Sequence, residues 1–190
     1  MKRVFIIHGW GGFPEEAWFL WLKKELEKKG FKAEIPSMPD TNHPKIDAWV
    51  PFLAKLVGKP DKDTLLVGHS IGCQAIMRYL ETVNEPVGGV VFVGGWFTLY
   101  EENLESDEER AIARPWLTTP IDAGKVRKNA NKVRAIFSDN DKWVPADNAI
   151  EFEKRLGAKT IVLNNKGHMG GDDNCPELPE ALSAILEITR

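Results

Sequence analysis

Ser70 stands in Gly68-His69-Ser70-Ile71-Gly72, a Gly-x-Ser-x-Gly pattern that marks a nucleophile elbow. The chemistry it suits is attack by a serine oxygen on a carbonyl carbon. That chemistry needs the hydroxyl lifted clear by a tight turn, and the flanking glycines permit a backbone that side chains would crowd. It also needs N–H donors facing the charge that develops, and the first turn of a following helix leaves such groups unpaired. The surrounding residues fit. Thr64-Leu65-Leu66-Val67 reads as a short buried strand, and Cys73, Ile76, Leu80 and Val83 then recur at helical spacing. The rival reading is a serine in an ordinary glycine-containing turn between a strand and a helix.

A nucleophilic serine requires a base, and the base requires an orienting acid. Of the four histidines, His8, His43, His69 and His168, only His168 follows a late strand. It lies in Lys166-Gly167-His168-Met169, just beyond Ile161-Val162-Leu163. The acid should end the preceding strand, Val133–Phe137, which runs into Ser138-Asp139-Asn140-Asp141-Lys142-Trp143-Val144-Pro145. Two aspartates compete there. Asp139 lies closer to the strand end and equally suits holding the loop through backbone hydrogen bonds. Asp141 stands three residues before Val144 in an Asp-x-x-Val-Pro pattern and is the preferred acid. For the oxyanion, Ile71 N–H directly follows the nucleophile. Trp10 N–H, in His8-Gly9-Trp10-Gly11-Gly12 after the first strand, is the second expected donor. As a phosphate cradle that loop lacks both the Gly-Lys-Ser/Thr ending of a P-loop and the spacing of a dinucleotide fingerprint.

Tryptophan is plentiful, seven against two tyrosines. Trp10, Trp96 and Trp143 fall just beyond strand ends on the side of the serine. Trp116 follows in the longest connection. Trp96, Trp143 and Trp116 are therefore expected to line a pocket for a small apolar or aromatic group, the bland alternative being that some only pack loops.

These residues need a scaffold that brings distant loops to one edge. Strand signals at Arg3–His8, Lys32–Ile35, Thr64–Val67, Val87–Val93, Lys132–Phe137 and Thr160–Leu163 are mostly continuous apolar runs, as parallel strands covered on both faces require. Helical patterns lie between them at Glu15–Lys29, Ile46–Val57 (with Pro51 near its first turn), 71–84, 145–156 and 177–188. The alternation predicts an α/β fold, a doubly wound parallel sheet with helices on both faces and right-handed crossovers. The segment from Gly95 to Asn131 breaks the rhythm. It leaves the carboxyl end of a parallel strand, where ligands bind in open α/β sheets, and suits a small cap. Its acidic run (Glu101, Glu102, Glu105, Asp107, Glu108, Glu109) is either a solvated helix face or a field that attracts an amine-bearing substrate.

With 190 residues, the chain is expected to form one domain, 1–190, around one sizeable core. A formal net charge of −3 gives no electrostatic footprint for nucleic acid. No apolar run is long enough to span a bilayer, and Val4-Phe5-Ile6-Ile7 is too short for a signal core, so a cytoplasmic location is expected. Cys73 and Cys175 show no metal-ligand spacing, and Cys73 falls on an apolar helix face.

Further motifs run the length of the chain in order: Trp21-Leu22-Lys23-Lys24-Glu25-Leu26, Met38-Pro39-Asp40, Trp49-Val50-Pro51-Phe52, Met77-Arg78-Tyr79 and Arg114-Pro115-Trp116. With the elbow, the Ser138…Asp141…Pro145 loop and Gly167-His168, the chain resembles the α/β-hydrolase superfamily. More narrowly, it resembles the retinoblastoma-binding protein 9 / YdeN-like serine hydrolases. The resemblance implies a compact α/β-hydrolase fold with about six parallel strands, little or no lid, and a Ser-Asp-His triad at Ser70, Asp141 and His168. It departs at His8-Gly9, where human-type members carry Pro-Gly. Binding of the retinoblastoma protein is associated with Leu-x-Cys-x-Glu. Phe31-Lys32-Ala33-Glu34 has no cysteine and Asp173-Asn174-Cys175-Pro176-Glu177 no such leucine, so nothing supports that partner. The expected activity is cleavage of small carboxylic esters or amides through an acyl-enzyme, without metal or organic cofactor. An aminopeptidase-like amidase is the alternative, and a non-catalytic interaction protein of the same fold is the rival class.

Overall fold

The computed structural model describes residues 1–190. Six strands form one sheet: β1 (Arg3–Ile7), β2 (Lys32–Glu34), β3 (Thr64–His69), β4 (Gly89–Val93), β5 (Val133–Ser138) and β6 (Lys159–Leu163). Their order is β2-β1-β3-β4-β5-β6 and every pairing is parallel. Ile6 lies beside Val67, and Val67 beside Val91.

Because successive strand residues point to opposite faces, each apolar run feeds two cores at once. Phe5, Ile7, Leu66, Val90, Phe92, Ala135 and Phe137 belong to one. It is covered by α2 (Ile46–Val57), α3 (Ile71–Thr82), α5 (Ala123–Ala130) and α6 (Asn148–Leu156), which add Trp49, Leu53, Ile76, Val126 and Phe152. Val4, Ile6, Leu65, Val67, Val91, Val93 and Ile136 belong to the other, under α1 (Phe19–Glu27) and α7 (Pro179–Ile188). The chain winds outward from β1 to β2, then crosses back to β3 on the far side of β1. The carboxyl ends of β1 and β3 therefore flank a topological switch point, the place where open α/β sheets hold ligands.

Several boundaries differ from expectation for local reasons. The first helix begins at Phe19, because Ala17 adopts φ +48° and no helix can run through it. Pro51 sits at the sixth residue of α2, past the first turn. It is exposed, so water can satisfy the carbonyl its missing N–H leaves free. The 95–131 segment folds as a short 3-10 turn (Glu101–Asn103), α4 (Asp107–Thr118) and α5. Half of its acidic run is explained by α4. Ser106 and Glu109 form a capping box, and Asp107, Glu108 and Glu109 occupy the first turn, where the helix dipole favours negative charge. No helix is long and apolar enough to cross a membrane.

Candidate active site

Ser70 joins β3 to α3 with φ 53° and ψ −124°, a conformation that costs an L-residue on the order of 1–3 kcal/mol. Its surroundings hold it there. Ser70 N–H donates to Val93 O at 2.9 Å. A Cβ on Gly68 would lie 2.9 Å from the backbone of Cys73, and one on Gly72 would lie 2.5 Å from Ile7 O and 2.7 Å from His8 O. The two glycines are thus required by close approach of α3 to the sheet, while the positive φ falls on the serine itself.

Asp141 and His168 meet in the loops beyond β5 and β6. Asp141 Oδ2 lies 2.7 Å from His168 Nδ1, with the carboxylate almost wholly buried. Its Oδ1 accepts from Trp143 N–H at 2.8 Å and Val144 N–H at 3.0 Å, which explains the Asp-x-x-Val spacing as a turn closed by the aspartate. A carboxylate with these three donors is best satisfied ionised. It places the imidazole hydrogen on Nδ1, leaving Nε2 as the basic nitrogen. Asp139, the competing acid, is exposed and accepts from Asn165 N–H at 2.8 Å. Its neighbours act alike. Ser138 Oγ accepts from Lys166 N–H, and Asn140 Oδ1 accepts from Gly167 N–H and Ser138 Oγ. Ser138 and Asn140, to which sequence reasoning gave no role of their own, thus clamp the loop leading into His168. The run of short polar residues was the available signal.

The loop after β1 approaches the serine closely. A Cβ on Gly9 would sit 3.3 Å from Ser70 Cβ. Trp10 N–H donates to no backbone carbonyl, and Ile71, the first residue of α3, has no acceptor for its N–H within the helix. The loop is fixed from outside by Gly11 N–H to Thr41 O and Trp10 Nε1–H to Asn42 O, both 2.8 Å. Beneath it His8 donates from Nδ1 to Gly9 O and accepts at Nε2 from Met38 N–H. That pairing needs a neutral ring, and burial lowers the pKa of His8 accordingly.

These groups open onto one cavity of about 310 Å³, lined by Ser70, His168 and Trp10 together with Trp96, Trp143 and Leu104. Trp116 is not among the lining residues. It is 1% exposed, packs edge-on against Trp49, and donates from Nε1 to Pro44 O at 2.9 Å. The expectation that it contacts substrate is therefore corrected. Ala113, one turn earlier on α4, faces the cavity, and Trp116 anchors the helix to the core. Arg78 completes the anchor by donating to the carbonyls of Trp116 and Thr119, both at 2.9 Å, at the carboxyl end of α4. Glu101, Glu102 and Glu105 are exposed and outside the cavity lining. Glu109 lines it, but its carboxylate accepts from Glu105 and Ser106 N–H. Glu16, Asp172 and Asp173 are the remaining carboxylates of the lining and form its acidic lip, and Lys142 lines the same cavity. No three His, Cys, Asp or Glu side chains are grouped to hold a metal ion, and Cys73 and Cys175 are both free and buried.

The profile of the serine hydrolase family matches residues 4–187. YdeN of Bacillus subtilis (strain 168) is 30% identical over 180 residues, covering 94% of this chain and 91% of that one. The serine hydrolase RBBP9 of Rattus norvegicus is 30% identical over 165 residues, covering 85% and 82%. The crystal structure of the B. subtilis ydeN gene product superposes with a TM-score of 0.88 at 27% identity, covering 99% of this chain and 98% of that one. Est1E from Butyrivibrio proteoclasticus shares the fold, with a TM-score of 0.76 at 18% identity over 98% and 88% of the two chains.

Proposed function

The chain belongs to the serine hydrolase family, and from that premise we propose that it cleaves small carboxylic esters or amides with Ser70 as nucleophile, His168 as base and Asp141 as orienting acid. The observation that carries this reading is the 2.7 Å contact between Asp141 Oδ2 and His168 Nδ1 beside a cavity that both His168 and Ser70 line. Ser70 Oγ attacks the carbonyl carbon as His168 Nε2 takes its proton. The oxyanion rests on the N–H groups of Trp10 and Ile71. The intermediate collapses, the carbon–leaving-group bond breaks, and the leaving group departs with the proton from His168. Water then repeats the sequence on the acyl-enzyme and frees Ser70.

Trp96, Trp143 and Leu104 favour an apolar acyl group of modest size. A non-catalytic role would leave an open cavity over a strained serine without a purpose. The lip formed by Glu16, Asp172 and Asp173 favours an aminoacyl or other ammonium-bearing substrate as the second reading. A fluorophosphonate probe should label the parent protein and not Ser70→Ala, with p-nitrophenyl acetate hydrolysis lost in parallel. Labelling or turnover that survives Ser70→Ala would remove the assignment.

A further inference from the structure

His69 directly precedes Ser70 and has no part in the chemistry just described. Its ring is 4% exposed and lies between the two loops that matter most. A Cβ on Gly9 would sit 3.1 Å from its Nδ1, and one on Gly170 would sit 3.5 Å from its Cε1. Nε2 lies 2.9 Å from His168 O. A carbonyl can only accept, so Nε2 carries the hydrogen and Nδ1 is a bare lone pair. No donor reaches that lone pair. Burial, the largest cause, depresses the ring's pKa to about 3, so this neutral tautomer persists throughout the range in which a histidine base can work.

The next carbonyl along the chain is held in the same way. Trp18 Nε1–H donates to Met169 O at 3.0 Å, and the Trp18 and His69 rings meet edge-on at 6.2 Å. Met169 itself is fully buried at φ +57°, in the left-handed region that L side chains rarely adopt. Two consecutive peptides of the base loop are therefore pinned by ring N–H donors across a strained residue. The bond to Asp141 fixes how the His168 ring is turned, but it does not fix where the His168 backbone lies. An apolar ring at position 69 would fill the same space without a buried, unpartnered nitrogen. What the imidazole adds is the donor.

We propose that His69 is a positioning residue. Its Nε2–H, with Trp18 Nε1–H, holds the His168–Met169 backbone so that the His168 imidazole is presented to Ser70. The residue before the nucleophile thus ties the nucleophile strand to the base loop, 99 positions away. The inference rests on the proposed roles of Ser70 and His168.

The test measures fluorophosphonate labelling rate and steady-state p-nitrophenyl acetate hydrolysis, with thermal melts, for the parent, Ser70→Ala, His69→Phe, His69→Gln, Trp18→Phe and His69→Phe/Asp141→Asn. His69→Phe should lower kcat by roughly 10- to 100-fold with KM within about twofold, the scale expected when a reacting group is misplaced by about 1 Å. His69→Gln, whose amide N–H reaches the same carbonyl, should recover most of the loss. Trp18→Phe, which keeps a ring and loses the donor, should fall several-fold. The double variant should fall less than the product of its single effects, because both act through His168. A kcat for His69→Phe within about twofold of the parent, no rescue by Gln among variants that melt alike, or strictly multiplicative effects would each overturn the proposal. If His69→Phe does not fold, Trp18→Phe decides: unchanged kcat overturns it and a kcat-only loss supports it. A parent that does not label, or a Ser70→Ala that turns over normally, would fail the site assignment instead, which keeps the two failures apart.

Discussion

The cavity has two walls held together by different forces. The wall that carries Ser70, His168 and Trp10 is laced with short polar bonds. Asp141 holds His168 and two backbone N–H groups; Ser138, Asp139 and Asn140 grip residues 165–167; His8 and Asn42 hold the loop around Trp10. The other wall, from Trp96 through Leu99 and Leu104 to Ala113, presents apolar side chains to the cavity. Its polar ties engage the backbone and leave those side chains free: Asn148 Oδ1 accepts from Phe97 and Thr98 N–H, Tyr100 N–H donates to Trp143 O, Asn103 Nδ2 donates to Lys142 O, and Arg78 donates to two carbonyls at the carboxyl end of α4. Hydrogen bonds weaken steeply as their geometry departs from linear, whereas apolar contacts tolerate a change of shape if volume is kept. The first wall fixes positions and the second fills space. On the proposed reading, rate belongs to the first wall and choice of substrate to the second.

The sharpest way to break that division is to remove single atoms from the first wall. Ser70→Ala should cost about 10⁶-fold in kcat, the scale of losing the nucleophile of a serine protease. Asp141→Asn should cost about 10⁴-fold, because the amide no longer fixes the tautomer. Asp139→Asn keeps an acceptor oxygen for Asn165 N–H and should cost less than about tenfold. Steady-state hydrolysis of p-nitrophenyl acetate ranks the three. The reverse order of the two aspartates would move the acid to Asp139.

The second wall should answer differently. Ala113→Leu adds bulk where α4 faces the cavity, and Leu104→Ala removes it. The first should shift kcat/KM toward acetate over hexanoate esters and the second toward hexanoate. Each shift should be about tenfold, since a few methylenes in an apolar pocket discriminate on that scale. Acetate kcat should stay within a few-fold in both. Equal losses on both esters would mean that this wall also sets the catalytic geometry.

The same division explains what was legible in the chain. Ser70, Asp141 and His168 each sit in a short local pattern, an elbow, a closed turn and a glycine-flanked loop after a strand; Asp141 contacts His168, and His168 and Ser70 line one cavity. The strands were legible because burial on both faces leaves continuous apolar runs. Trp116 was not, because its composition and its place in a long connection match those of a pocket residue. Only the turn of α4, the bond to Pro44 O and Arg78 send it inward, and those are tertiary facts. The acidic run misled for a related reason. A capping box and a charged helix start have the same composition as a ligand-attracting rim. His69 was hidden inside the motif itself, since nothing local reveals that its ring reaches a carbonyl 99 residues on.

Acid should destabilise the fold through the histidines buried in the first wall. With a folded pKa near 3 against 6.5 for the free side chain, His69 stays neutral in the native state while the unfolded chain takes up a proton. It therefore makes no pH-dependent contribution above about pH 6.5. As pH falls from there toward 3, stability drops progressively, because the unfolded chain binds a proton that the native ring does not. His8, also lowered by burial, acts in the same direction. Exposed His43 acts oppositely. Its pKa is raised by its bond to Asp40, so its stabilising effect is present in acid and lost as pH rises through that raised value. Denaturant midpoints between pH 7 and 4 should fall more steeply in the parent than in His69→Gln. Parallel curves would remove His69 as the source.

The smallest expected effect separates two sets of acids. Asp172 lines the cavity, is exposed, and makes no hydrogen bond through its side chain, so Asp172→Asn changes charge without changing the fold. Glu101 and Glu102 are equally exposed but lie outside the lining. An ammonium-bearing substrate at the lip feels the first and is largely screened from the second, because exposed charges fade beyond about 8 Å at physiological salt. For an aminoacyl ester compared with an uncharged ester of the same shape, Asp172→Asn should lower the preference for the charged one by about two- to fivefold at low salt, an exposed charge being worth little. The difference should shrink at higher salt. Glu101→Gln/Glu102→Gln should leave the preference where it was. An effect of the second pair equal to that of Asp172 would mean a diffuse field rather than a lip. No effect of either would leave the site as one for uncharged esters, with α4's acids serving only their helix.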